Sequence, residues 1–178
     1  TGAGFARDTP FYARVGGHGG AAGGCNIGAL SPPPPANDDP CGATALTVNA
    51  TCTNTATTNL GATATPSIPP PGCGNYTGGD VWFSFVAPAS GRTSIQTSSS
   101  GGLANTAIAL YSATNCSSGF ALIACDDDAV GFFSLIDRVG LTPGATYYVR
   151  AWGVSGSAGT FNICAYEPVI APPSNDEP

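Results

Sequence analysis

The sequence predicts an all-β protein, a jelly-roll-type β-sandwich of about nine strands with an extended N-terminal arm and a Pro-rich C-terminal tail. Short segments of alternating apolar and polar residues are separated by Gly- and Pro-containing turns, and no long segment has helical periodicity. The clearest strand is 80–86, Asp-Val-Trp-Phe-Ser-Phe-Val, in which Val81, Phe83 and Phe85 share one face. We expect that face to lie in the core.

The C-terminal part of the sandwich is predicted to be a hairpin. Pro143 and Gly144 form a typical turn dipeptide, and apolar and polar residues alternate through 147–152. The same alternation returns in 161–166, after a Gly/Ser-rich stretch at 153–159. The two strands are therefore expected to pair across a loose loop.

The remaining strands follow at short intervals. Strands at 106–111 and 120–124 are predicted to pair with each other, and the Pro-rich segment 66–79 is predicted to be a loop. The other predicted strands are 43–49, one or two edge strands within 52–65, 92–97 and 132–139.

Composition argues against two classes of partner. The net charge is -6 and all five basic residues are arginine, which argues against nucleic-acid binding. No apolar run is long enough to span a membrane.

The seven cysteines predict disulfides and an oxidising compartment. Their spacing fits no zinc site, and the only histidine, His18, lies in a glycine run. The absence of methionine predicts a processed, secreted protein, extracellular or at the cell surface. Cys116 and Cys125 flank the predicted strand 120–124, so we expect them to form a disulfide. Because seven is odd, at least one thiol is free or pairs between chains.

The chain divides by composition into four parts: a Gly-rich arm at 1–31, a Pro-rich linker at 32–40, the sandwich at 41–167 and a tail at 168–178. The arm either packs on its own domain or adds a strand to a neighbouring subunit's sheet. The residues expected to carry that contact are Phe5, Phe11, Tyr12 and Val15, with Cys25 as a candidate intermolecular bridge.

The sequence of the tail is similar to that of part of the linker. Residues 34–40 read Pro-Pro-Ala-Asn-Asp-Asp-Pro, and residues 172–178 read Pro-Pro-Ser-Asn-Asp-Glu-Pro. Either the sandwich is one unit of a tandem array, or the tail has the docking role of the first copy. A chance likeness of two Pro/Asp-rich linkers is the alternative.

Several motifs occur in a recognisable order: Asn-Asp-x-x-Cys, Gly-Gly-Asp-Val-Trp-Phe-Ser-Phe, Ala-Ile-Ala-Leu-Tyr, Leu-Ile-Ala-Cys-Asp-Asp-Asp and Leu-Thr-Pro-Gly-Ala-Thr-Tyr-Tyr-Val-Arg-Ala-Trp-Gly. With them, residues 37–167 resemble bacterial pre-peptidase C-terminal-like domains, in the cysteine-containing variety that recurs in tandem in secreted and surface proteins of Bacteroidetes-type bacteria. The resemblance implies a jelly-roll β-sandwich, export and a non-catalytic accessory or adhesive role. It does not cover the arm.

Calcium is the predicted metal. Closely spaced carboxylates on a turn supply the oxygen ligands that Ca²⁺ prefers. A solvated acidic turn is the alternative. The candidate ligands are Asp126, Asp127 and Asp128, joined by Asn37, Asp38 and Asp39 if the two segments fold together, with Asp80 as a weaker addition.

One strand face is a candidate sugar-binding surface. Tyr148, Arg150 and Trp152 share a face, and Trp82 is a candidate to line another. Aromatic rings beside an arginine stack well on sugar rings. The alternative is a second core layer, with Arg150 paired to Asp137 or to a backbone carbonyl.

The sequence does not predict an enzyme. It contains no Gly-x-Ser-x-Gly motif, and its only imidazole lies in a linker-like run. The first hypothesis is a secreted structural subunit that polymerises with itself into an extracellular filament or surface layer through its arm. The second is an adhesion module that binds carbohydrate or a cell surface, and the third is an accessory domain of a hydrolase.

Overall fold

Ten short strands form two sheets that pack face to face in the computed structural model, so the predicted β-sandwich is confirmed. The structure describes Arg14, Gly16, residues 18–20, residues 23–24 and residues 32–168. The predicted assembly residues Phe5, Phe11, Tyr12, Val15 and Cys25 lie outside the described residues, as does the tail beyond Pro168. The strands are β1 (Thr44–Ala45), β2 (Val48–Asn49), β3 (Thr55–Thr58), β4 (Asp80–Val86), β5 (Thr93–Ser99), β6 (Thr106–Ser112), β7 (Ala121–Asp126), β8 (Leu135–Arg138), β9 (Thr146–Gly153) and β10 (Thr160–Tyr166).

Strands that are distant in the chain become neighbours in each sheet. The first sheet has the order β1-β4-β9-β6-β7, and the second has the order β2-β10-β5-β8, with β3 also paired to β10. The predicted antiparallel pair of β6 and β7 is confirmed. The described helical segments are the short 3-10 turns His18–Gly20, Pro40–Gly42 and Val154–Gly156, and no described helix has the length and apolar character needed to cross a membrane.

The predicted core face of β4 is confirmed. Val81 and Phe83 are fully buried and Phe85 is nearly so, because they point between the two sheets toward Ile95 and Ile163. Burying one such side chain stabilises the fold by roughly 1.5–3 kcal/mol.

The predicted C-terminal hairpin is wrong. Residues 147–152 and 161–166 do lie in strands, but β9 pairs with β4 and β6 whereas β10 pairs with β5. The loop between them includes the turn Val154–Gly156 and carries the chain from the first sheet to the second. Alternation identifies strands but does not say which sheet each one joins.

The predicted Cys116–Cys125 disulfide is also wrong. The structure pairs Cys41 with Cys116 and Cys73 with Cys125. β7 is extended chain, at about 3.3 Å per residue, and it carries Cys125 away from the turn that holds Cys116. The third disulfide, Cys52–Cys164, joins the segment before β3 to the second sheet.

Candidate functional site

The outer face of the first sheet is covered by the long loop between β3 and β4. Trp152 donates its indole N–H to the carbonyl oxygen of Gly74 at 3.0 Å, and the Tyr111 hydroxyl donates to the carbonyl oxygen of Pro69 at 2.9 Å. Ile68 from the same loop is buried against these rings. The face is therefore a second core, which we call the outer core and define as Ile68, Trp82, Ala107, Ala109, Tyr111 and Trp152.

A buried ion pair lies within the outer core. The guanidinium of Arg150 lies 3.0 Å from the Asp80 carboxylate, and the side chains are 1% and 0% exposed. Arg150 also donates to the carbonyl oxygen of Thr65 at 3.1 Å and to the Tyr76 hydroxyl. Trp82 donates its indole N–H to Asp80 at 3.0 Å. Each buried charge is thereby paired and hydrogen-bonded, which offsets part of its desolvation cost.

Burial and charge set the ionisation of this network. Burial raises the pKa of the Tyr76 phenol above its usual range, and the hydrogen bond and negative charge of Asp80 raise it further. For Arg150, burial lowers the pKa, but the charge and hydrogen bond of Asp80 outweigh it and hold the pKa above its usual value. Tyr76 and Arg150 therefore both keep their protons at neutral pH.

The predicted sugar-binding face is therefore wrong for three of its four residues. Trp82, Arg150 and Trp152 are each 0% exposed, and they form the second core layer that was the alternative. Tyr148 is half-buried, with its ring 5.3 Å from that of Phe120. The predicted backbone-carbonyl partner of Arg150 is present, but its carboxylate partner is Asp80, because Asp137 pairs with Arg92 in the second sheet.

An open groove lies beside the outer core. It has a volume of about 570 Å³ and runs between the Asp39–Cys41 and Thr65–Pro69 segments and the turn that precedes β7. Its lining consists of Asp39, Pro40, Cys41, Thr65, Ser67, Ile68, Pro69, Cys116, Ser117, Ser118, Gly119 and Phe120.

The groove is held in shape from both sides. The Cys41–Cys116 disulfide ties its two walls together. The ring of Phe120 packs against Trp82, Tyr111 and Tyr148 at centroid distances of 5.6, 6.2 and 5.3 Å. In the turn, the Asn115 side-chain oxygen accepts hydrogen bonds from Ser117 and Ser118. The aromatic ring and the hydroxyl oxygens of the lining are thus pre-positioned.

Sequence reasoning missed this groove. The hydroxyl groups of Ser67 and Ser117 lie far apart in the chain, and nothing in their local pattern marks a site. The pairing of Cys41 with Cys116 was the one signal that could have joined the two segments, and pairing cannot be deduced from spacing alone.

The predicted calcium ligands separate into two places. The carboxylate of Asp126 accepts hydrogen bonds from the backbone N–H groups of Ala129 and Leu135, whereas Asp38 binds Thr63 near the start of β4. Asn37 donates to the carbonyl oxygen of Trp82. Across the part of the chain that the structure describes, no three His, Cys, Asp or Glu side chains are grouped to hold a metal ion.

The remaining acidic residues have other surroundings. Asp39 lines the groove, and Asp128 is exposed. Burial raises the pKa of Asp127, and the neighbouring charges of Asp128 and Asp126 raise it further, because each disfavours its ionised form. Calcium binding stays a prediction.

The profile of a T9SS-associated, galactose binding domain-like family matches residues 36–164. The chain belongs to this family. The T9SS-associated family covers nearly the same residues as the resemblance predicted from the sequence, 37–167, and that prediction is confirmed. Membership in a family associated with T9SS (the type IX secretion system), together with the three disulfides, indicates a secreted or surface protein.

The pre-peptidase C-terminal domain of collagenase from Bacillus anthracis is a solved structure that is similar to this chain. The two share 11% sequence identity with a TM-score of 0.43, over 69% of this chain and 93% of that one. No curated protein matches the chain.

Proposed function

We propose that this protein is a non-catalytic, exported surface module that binds a neutral carbohydrate in the groove around Phe120. The observation that carries the proposal is the preformed cavity whose two walls are joined by the Cys41–Cys116 disulfide. A volume of about 570 Å³ is in the range of small-molecule sites.

The chemistry of the groove suits a sugar. Phe120 supplies an aromatic edge, and the Ser67 hydroxyl can donate and accept hydrogen bonds. The hydroxyls of Ser117 and Ser118 donate to Asn115, so they offer acceptor lone pairs to a ligand. Asp39 is the one charged side chain among the described lining residues, so no cation is present there to attract an acidic ligand. The description of the family as galactose binding domain-like supports a galactose-containing ligand.

Titration calorimetry of the full chain with galactose and lactose tests the proposal. We expect binding in the wild type and a loss of at least about tenfold in Phe120→Ala, equivalent to about 1.4 kcal/mol. Phe132→Ala is the matched control, because Phe132 is 67% exposed and outside the groove.

A second groove variant protects this test against misfolding. Asp39→Ala changes an exposed lining residue without touching the aromatic cluster, and we expect it to weaken binding with an unchanged melting temperature. Binding that survives both groove variants would refute the proposal.

A structural role is the second candidate. β7 and β8 are edge strands of the two sheets, and exposed Leu122 and Phe132 lie on β7 and in the β7–β8 loop. Open strand edges of this kind accept an added strand, and residues 1–31 are the proposed donor of a homopolymer. Negative-stain microscopy tests this: fibres that disappear on deletion of residues 1–30 would support it, and isolated particles from the full chain would reject it.

A further inference from the structure

The linker segment 34–40 docks on the sandwich through two adjacent polar residues. Asn37 pairs with Trp82 through two hydrogen bonds: its carbonyl oxygen accepts from the backbone N–H at 2.8 Å, and its side-chain amide donates to the carbonyl oxygen at 3.0 Å. The carboxylate of Asp38 accepts from the backbone N–H and the hydroxyl of Thr63, both at 2.5 Å. Both side chains are buried. The segment thereby fixes the start of the domain to β4 and to the covering loop.

The chain carries this docking sequence twice. Segments 34–40 and 172–178 are identical at five of seven positions, namely both leading prolines, the Asn-Asp pair and the final proline. The two positions that differ correspond to Ala36 and Asp39, whose side chains are exposed in the docked segment. The second copy therefore retains the Asn-Asp pair, which makes the docking hydrogen bonds, and varies at two positions whose side chains make none of them.

We infer that segment 172–178 is a second docking segment. Its partner is a sandwich domain of this same type in which no segment is bound to the backbone of Trp82 in β4 or to Thr63 in the covering loop. Asn175 takes the place of Asn37 against the backbone of β4, and Asp176 takes the place of Asp38 against the hydroxyl and N–H of the covering loop. Segment 34–40 already occupies this docking position on its own domain, so the tail docks on a second domain of this type.

A fusion protein tests this directly. Residues 41–168 are appended after Pro178 of the full chain, so that Pro178 precedes the second Cys41 as Pro40 precedes the first. We expect both domains to unfold together in calorimetry, with about twice the enthalpy of the single chain, because enthalpy scales with the number of folded residues.

Variants of the tail then distinguish docking from simple linkage. Asn175→Ala combined with Asp176→Ala should split off a second transition roughly 5 °C or more below the first, since buried hydrogen bonds to a charged group are lost. Ser174→Ala combined with Glu177→Ala should leave a single transition. The first domain is the internal standard for folding. The inference would be overturned if the appended domain unfolded at the same temperature with the Asn175→Ala/Asp176→Ala tail as with the unchanged tail.

Discussion

The two faces of the first sheet are both buried, but by different means. On β4, Val81, Phe83 and Phe85 point to the second sheet and join an apolar inner core. Asp80 and Trp82, which alternate with them on the same strand, point to the covering loop. Two disulfides, Cys41–Cys116 and Cys73–Cys125, tie the covering segments down on that side.

The inner core and the outer core are held together by different kinds of interaction. The inner core forms because two amphipathic sheets bury apolar area, which needs no directional contacts. The outer core has no second sheet, so an irregular loop must be held over it by disulfides and by the Asp80–Arg150 network. The inner core should therefore be insensitive to single polar contacts, and the outer core should depend on them.

Removing Asp80 should have the largest effect on the outer core. Asp80→Ala leaves the buried guanidinium of Arg150 without its carboxylate, so we expect the free energy of unfolding to fall by about 3–5 kcal/mol in urea titrations. Ser84→Ala, a partly buried position on the same strand, is the matched control and should change it little. A loss below about 1 kcal/mol for Asp80→Ala would show that the ion pair does not support the fold.

Removing one of the disulfides that hold the covering loop should cause the second-largest loss of stability. Cys73→Ser with Cys125→Ser should lower stability by about 2–4 kcal/mol and shift tryptophan emission to longer wavelength, because the loop over Trp152 is released. Cys52→Ser with Cys164→Ser is the matched pair on the other sheet. It should cost a similar free energy and leave the emission unchanged. The same tryptophan emission wavelength in both double variants would contradict the assignment of the Cys73–Cys125 disulfide to the outer core.

The inner core could be predicted from the sequence, and the outer core could not. Alternation placed Val81, Phe83 and Phe85 together, and burial confirms it. The same alternation placed Trp82 on the opposite face, but it carries no information about what lies over that face. The cover is a Gly- and Pro-rich loop positioned by disulfides, and three disulfides can be drawn among seven cysteines in 7 × 15 = 105 ways. The groove depends on the same pairings, so it was also beyond the sequence.

Loss of one hydroxyl should have a smaller effect. Tyr76 donates its phenol hydroxyl to the Asp80 carboxylate at 2.5 Å, so Tyr76→Phe should cost about 1–3 kcal/mol in the same urea titrations. Tyr166→Phe is a suitable control, since its hydroxyl makes only a long 3.4 Å contact with Gln96. Equal stability of the two variants would remove Tyr76 from the network.

The smallest effect is expected at the exposed ion pair of the second sheet. The hydrogen bond from Arg92 holds the pKa of Asp137 below its ordinary value of 3.8. Asp137 therefore adds stability above that pH, and this contribution is lost as the pH falls through the lowered pKa. Asp137→Asn should lower the melting temperature slightly at pH 7 and low salt, and this difference should shrink as the pH is lowered until Asp137 is protonated. A larger effect than that of Asp80→Ala would reverse the ranking of buried and exposed pairs.

Acrylamide quenching of tryptophan fluorescence tests the central claim most directly. The chain contains two tryptophans, and both Trp82 and Trp152 are 0% exposed in the outer core. Weak quenching that is unchanged by added galactose is the predicted result, because the indoles belong to the core and the proposed sugar site is the groove beside them. Efficient quenching that galactose suppresses would contradict the account and make the sheet face itself the ligand site.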